Sequence, residues 1–176
     1  MQSNSRELFQ ANIDTPLGKM VAIANESQLL LLLFADQKNL DQKLKSISST
    51  AKIINKRNLV LQETEKQLNQ YFNSEREYFD LPLELTGTKF QRNIWKLLTN
   101  ITYGKVISYA ALAKKFGNGQ AYRACANANA ANNVAIIIPC HRVINSNGNL
   151  GGYAGGIDRK NKLLKKEKAI SDILCS

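Results

Sequence analysis

The sequence predicts an α+β protein in two parts: an N-terminal α/β scaffold domain over residues 1–86 and a mainly helical C-terminal domain over 87–176 that carries a helix-turn-helix. Three observations lead to that division. Residues 7–35 hold apolar, β-favouring runs separated by turn residues. After residue 87 the apolar residues recur at helical spacing instead. The charge also changes abruptly: residues 1–86 carry ten Lys and Arg against eleven Asp and Glu, whereas 87–176 carry fourteen against three.

Taken in order, the strands are "ELFQANIDT", a turn at Pro16-Leu17-Gly18, then "KMVAIAN" and "LLLLLFA", for which a β-meander is the simplest arrangement. The polar, lysine-rich stretch from Asp36 to Ser49 reads as a helix, and Leu61, Leu68 and Phe72 recur at helical spacing in a second. Nothing in this half assembles catalytic side chains, so its expected role is that of a scaffold. A Thr-Gly-Thr break at Gly87 separates it from the C-terminal half.

Phe90, Ile94, Leu97, Leu98 and Ile101 then mark one face of an amphipathic helix that ends before Tyr103-Gly104. Ser108 is a good N-cap for "SYAALAKKF", and the turn "GNGQ" leads into a second helical segment, "AYRACANANAA". A short helix pair about a glycine turn, on the basic half of the chain, resembles a helix-turn-helix whose second member reads DNA; simple core packing is the plainer alternative. The alanines of the second helix allow a phosphate backbone or another helix to approach closely, and Arg123 is its only charged residue. A glycine-rich loop, "GNLGGYAGG", precedes a lysine-laden helix from about Ile157. Leu163 and Glu167 lie one turn apart there, so an inward Leu163 would bring Glu167 toward the same interior. From the residues alone, a solvated glutamate paired with a neighbouring lysine is the simpler expectation.

Charge, length and cysteines bound the function classes. A chain of 176 residues with net charge +10, all of the excess in one half, suggests a polyanionic partner, and nucleic acid is the commonest for a soluble protein. The run Leu29–Phe34 is far too short to span a bilayer, and "MQSNSRELFQ" has no apolar signal segment, so a cytoplasmic location and no membrane partner are expected. The cysteines Cys125, Cys140 and Cys175 follow no disulfide or zinc spacing, and with one histidine in the chain no bound metal or other cofactor is expected.

That one histidine sits in "IIIPCHRVI", directly after Cys140. A buried, inert cysteine is the bland reading. The sharp one is a nucleophile: a thiol with an ordinary pKa of about 8.5 needs a cation, a helix N-terminus or a histidine nearby to populate its thiolate at neutral pH.

In this context the pentad Pro139 to Val143, preceded in order by "QLNQYFNSEREYFDLPL", "GTKFQRNIW", "ISYAALA" and an arginine-bearing helix and followed by "YAGG" and "LLKKE", resembles the O6-alkylguanine DNA alkyltransferases. The resemblance implies a ribonuclease-H-like fold for the N-terminal domain. It also implies a single-turnover repair reaction, in which an alkyl group on guanine O6 in double-stranded DNA, or on O4 of thymine, passes irreversibly to the protein. The acceptor would be Cys140. His141 would deprotonate it through a water, with Glu167 accepting a hydrogen bond from the imidazole. Asn132 matches the asparagine that braces the turn before the active-site strand. Tyr109 matches the tyrosine that contacts the phosphate of the flipped nucleotide and donates to the departing guanine, and Arg123 matches the arginine that fills the gap in the base stack. Val143, Tyr153 and Ala154 match positions lining the guanine pocket. A monomer acting from the minor groove is implied.

Departures are Cys125 and Ala126 where relatives commonly have valine and glycine, and Asn133 where a proline is usual. The N-terminal half has no Cys or His to hold the zinc of some relatives. Three other classes remain open at this point. A non-catalytic relative lacks the nucleophile that Cys140 supplies. A transcription factor would need more base-reading side chains than Arg123, Asn127 and Asn129. A cysteine hydrolase would release its product.

Overall fold

The computed structural model describes residues 6–169, which form two compact units divided between Leu85 and Thr86. The first is built on a four-stranded sheet of order β3-β2-β1-β4. Strands β1 (Arg6–Ile13), β2 (Met20–Ala24) and β3 (Leu29–Phe34) pair antiparallel, as the meander expectation has it. Every residue of β2 and β3 is buried, so these strands are continuous apolar runs rather than alternating ones. The outer edge of β3 is covered by the unit's own C-terminal segment: Leu29 N–H donates to the Pro82 carbonyl and Glu84 N–H to that of Leu29.

Helix α1 (Leu40–Ser48) lies within the polar stretch read as helical from Asp36 to Ser49 but starts four residues later, and α2 (Leu59–Phe72) falls where the spacing predicts it. Asn58 caps α2, its side chain accepting from Leu61 N–H. Strand β4 (Ala51–Asn55), parallel to β1, was not expected from the sequence. It is a short edge strand in which no residue is fully buried, so it carries little apolar signal.

In the second unit α3 (Lys89–Leu98) opens on a reciprocal capping box between Thr88 and Gln91. Trp95, 1% exposed, donates from its indole nitrogen to the Ala128 carbonyl at 2.8 Å and so ties α3 to α5 (Tyr122–Ala130). Gly87 is required beside it, since a Cβ there would lie 2.6 Å from the Trp95 ring. Ser108 caps α4 (Tyr109–Phe116) as expected, accepting from Ala111 N–H. Gly117, at φ +94°, ends α4 in the left-handed conformation and starts the turn into α5. Two short parallel strands, β5 (Ile107–Ser108) and β6 (Val143–Ile144), set the start of α4 beside the Cys140 segment, and α6 (Ile157–Lys166) packs against it. No helix of the described residues is long and apolar enough to cross a membrane.

Candidate active site

The isoleucine run before Cys140 is not a strand. Residues 134–138 form successive buried turns, and Ile136 adopts φ +71°, a conformation that a β-branched residue enters only when its surroundings hold it there. Asn132, itself 3% exposed, is the brace: its Oδ1 accepts from Val134 N–H, and its Nδ2 donates to the Ile138 carbonyl at 2.9 Å and to Cys140 Sγ at 3.1 Å. Asn129, near the end of α5, donates to the Cys140 carbonyl at 3.1 Å. Cys140 thus begins a 3₁₀ turn, Cys140–Arg142, whose thiol and carbonyl are both held by asparagine side chains.

The next residue turns the other way, into the interior. His141 is fully buried, and its Nε2 lies 2.9 Å from Glu167 Oε1. Nδ1 of the same ring is buried without a hydrogen-bond partner among the described residues. Glu167, at the C-cap of α6, is 1% exposed, so the expectation of a solvated glutamate is overturned. Burial alone would raise its carboxyl, but hydrogen bonds from His141 and Arg142 outweigh that and bring the pKa down to about 2. For His141, burial dominates and lowers the imidazole below its ordinary value, with the Arg142 and Lys160 charges acting in the same direction and Glu167 opposing them. The carboxylate is therefore ionised against Arg142, and the imidazole beside it is neutral.

Two cations were not assigned from the sequence. Arg142, 6% exposed, donates from Nε to Glu167 Oε2 at 2.8 Å and from Nη2 to Oε1 at 3.0 Å. Lys160 is fully buried on α6, and its Nζ donates to the Val143 carbonyl at 2.6 Å and the Gly152 carbonyl at 3.2 Å. Burial lowers its pKa to about 8, and the charge of a Cys140 thiolate would raise it. A signal for Lys160 existed in the sequence: it stands one helical turn before Leu163 and Leu164, on the buried face of α6. Arg142 had none, because its partner is 25 residues away.

A cavity of about 570 Å³ opens beside these groups, lined among others by Tyr109, Arg123, Asn129, Asn145, Tyr153 and Ala154. Arg123 and Tyr122 are exposed on α5, the guanidinium lying 5.7 Å from the Tyr122 ring. Burial, and then the Cys140 charge, push both the Tyr109 and the Tyr153 hydroxyls up; the Asn129 side chain partly offsets this at Tyr109. Both phenols therefore remain protonated donors at neutral pH. The Tyr153 hydroxyl is buried without a partner among the described residues. Val143 does not line the cavity: its side chain is fully buried, and Lys160 occupies its carbonyl.

Of the departures, Cys125 is a fully buried thiol on α5, pushed up by burial. Asn133 donates to the Thr86 carbonyl at 2.9 Å. Cys175 lies outside the described residues.

Comparison with known proteins gives a consistent result. Family models described as the 6-O-methylguanine DNA methyltransferase ribonuclease-like domain and DNA binding domain match residues 8–85 and 89–169. The methylated-DNA–protein-cysteine methyltransferase of Methanosarcina barkeri is 42% identical over 156 residues, 89% of this chain and 94% of the relative. The crystal structure of Mycobacterium tuberculosis O6-methylguanine methyltransferase superposes with a TM-score of 0.80 at 36% identity, covering 93% of this chain and 94% of that one. A crystal structure of the same organism's OGT in complex with DNA gives 0.79 at 37% identity, covering 93% of each chain.

Proposed function

The chain belongs to the 6-O-methylguanine DNA methyltransferase family, and from that premise we propose that Cys140 is the acceptor in a direct, irreversible transfer of an alkyl group from guanine O6 in double-stranded DNA. The activity is that of a methylated-DNA–protein-cysteine methyltransferase. The observation that carries the assignment of Cys140 is one line of contacts: Asn132 Nδ2 stands 3.1 Å from the thiol, and the adjacent His141 meets an ionised Glu167 at 2.9 Å.

His141 Nδ1 takes the thiol proton through a bridging water. Nε2–H donates to Glu167, which fixes the ring and stabilises the imidazolium that forms. Asn132 donates to the sulfur, an interaction that strengthens as negative charge develops there. The sulfur attacks the alkyl carbon and the C–O6 bond breaks, its electron pair remaining on the purine. Tyr109 donates a proton toward the departing guanine, a role suited to a phenol held protonated.

The alkylated nucleotide reaches the cavity by rotating out of the duplex, because the alkyl carbon is otherwise beyond the reach of a thiol that is 5% exposed. Arg123, exposed on the second helix of the pair, fills the gap left in the stack, and that helix enters the minor groove, where sequence readout is poor. Tyr153 and Ala154 bound the guanine, while Val143 lies outside the cavity and holds Lys160 through its carbonyl. O4-alkylthymine fits the same chemistry. The protein acts as a monomer in the cytoplasm.

A thioether has no good leaving group, so each molecule acts once. Incubation with excess methylated duplex should give product that rises in proportion to protein and stops at one equivalent. Continued turnover would reject the reading in favour of a hydrolase.

A further inference from the structure

Arg142 stands beside the reacting residues and takes no part in the transfer steps themselves, yet its buried guanidinium makes three hydrogen bonds within the site. Its Nε and Nη2 reach both oxygens of Glu167, its Nη1 donates to the Ile101 carbonyl, and its guanidinium lies 5.9 Å from the Tyr103 ring. Glu167 Oε1 is shared: it faces Arg142 Nη2 at 3.0 Å and His141 Nε2 at 2.9 Å.

One protonation pattern suits this arrangement best. A guanidinium is a permanent cation with only donors, and facing both Glu167 oxygens it holds the group as a carboxylate against the burial that favours the neutral acid. A carboxylate is an acceptor only. The hydrogen between Oε1 and Nε2 therefore belongs to the imidazole, and Nδ1 is left with its lone pair. Without the guanidinium the balance changes, because burial favours the neutral acid. A protonated Glu167 would donate to Nε2 and leave the ring hydrogen on Nδ1, where it could take no proton from a thiol.

We propose that Arg142 is a positioning residue for alkyl transfer, holding Glu167 as an acceptor against His141 Nε2–H and so fixing the imidazole in the tautomer whose Nδ1 can receive the Cys140 proton. The proposal rests on the reading of Cys140 as nucleophile and His141 as its base. In the step it serves, the S–H proton goes to Nδ1, the sulfur lone pair forms the S–C bond, and the C–O6 pair stays on guanine. Other charged or titratable groups act on the same centre. Lys160, from α6, adds a second cation that disfavours the imidazolium. Lys166 and Arg159 lie within the field of Glu167 and Tyr153 respectively. Tyr109 and Tyr153 feel the Cys140 charge, and Tyr103 lies beneath the guanidinium.

The chain has a single histidine, so the ring nitrogens of histidine-labelled protein give one unambiguous set of 15N signals. Wild-type protein should show the Nε2–H tautomer, and Arg142→Met a mixture or the Nδ1–H form. Methyl transfer from a methylated duplex, followed by intact mass against pH, should fall about tenfold or more near pH 7 in Arg142→Met. The deficit should narrow as pH rises and the thiol comes to ionise without a base, and DNA affinity should stay within about twofold of wild type. In a Glu167→Gln background the same change should add little, because the carboxylate it controls is gone.

If Arg142→Met does not fold, Arg142→Gln serves with the same readouts: it keeps a polar group that can donate to one Glu167 oxygen but removes the charge. An unchanged tautomer with an unchanged pH profile would overturn the proposal, as would a rate loss that is equal at every pH and tracks only the folded fraction. Wild-type protein that takes no methyl on Cys140 would instead sink the reading on which the proposal rests.

Discussion

The two units handle polar groups in opposite ways. In the first, the ion pairs Arg6–Glu84, Lys52–Glu7, Arg57–Glu65, Lys66–Glu63 and Arg76–Asp80 each involve at least one substantially exposed side chain, and the buried polar side chains are the neutral Gln37, Thr64 and Gln67. In the second, the ion pairs His141–Glu167 and Arg142–Glu167 are buried, and Lys160, Asn129 and Asn132 are buried with them. Taking charges out of water costs several kcal/mol per ion, and a hydrophobic cluster of the same volume is often at least as stable. A fold that needed only a core would therefore resemble the first unit. Where buried polar groups concentrate, here around one cysteine, they are retained for what they do to it.

The sharpest way to break this contrast is to remove one partner from each unit. Glu167→Gln should slow methyl transfer about tenfold or more near neutral pH, since only a few per cent of an ordinary thiol is ionised there. It should also cost about 3–5 kcal/mol of stability, because Arg142 is left buried and unpaired. A Glu167→Gln protein with wild-type rate would remove the relay. Next in size, Arg123→Ala should weaken repair of duplex DNA far more than reaction with the free alkylated base, which needs no flipping. Equal losses on both substrates would mean that Arg123 supports the fold.

Acid should separate the units in turn. The His141 pKa is depressed in the folded protein, so its contribution to stability is complete above about pH 6.5 and is lost as pH falls toward the folded value. Glu167, lowered from 4.5 to about 2, adds a second loss as pH drops below about 4.5. Denaturant unfolding against pH should show residues 86–169 weakening first; a stability that is flat from pH 7 to 5 would contradict a neutral buried His141. The smallest effect belongs to Arg57→Ala, which breaks a partly exposed pair of the first unit and should cost no more than about 1 kcal/mol, with transfer unchanged.

Legibility in the sequence follows the same line between the units. Strands β2 and β3 were readable as unbroken apolar runs between turn residues, and α2 and α3 because helical periodicity and burial coincide there. Strand β4 was not, because a half-buried edge strand holding two isoleucines has no pattern of its own. The β-branched run "IIIPC" folds as turns, held by the Asn132 side chain with Ile136 at a positive φ, and nothing in its local pattern announces this. Glu167 was placed on the right face of its helix, but the guanidinium that makes its burial tolerable lies 25 residues away, beyond any local rule. Family likeness supplied the positions of the reacting residues. It gave no role to Arg142, although Arg142 stands within the pentad, or to Lys160, whose place on the buried face of α6 was the one signal available.

One measurement tests the central claim most directly: after reaction with methylated duplex, peptide mapping of which cysteine carries the methyl group. Cys125 is an internal control, a fully buried thiol on α5 that does not adjoin His141 in sequence as the 5% exposed Cys140 does. The methyl group should be found on Cys140 alone, in one equivalent, and Cys140→Ala should take none while Cys125→Ala reacts as wild type. Methyl on Cys125, or transfer that survives Cys140→Ala, would contradict the account.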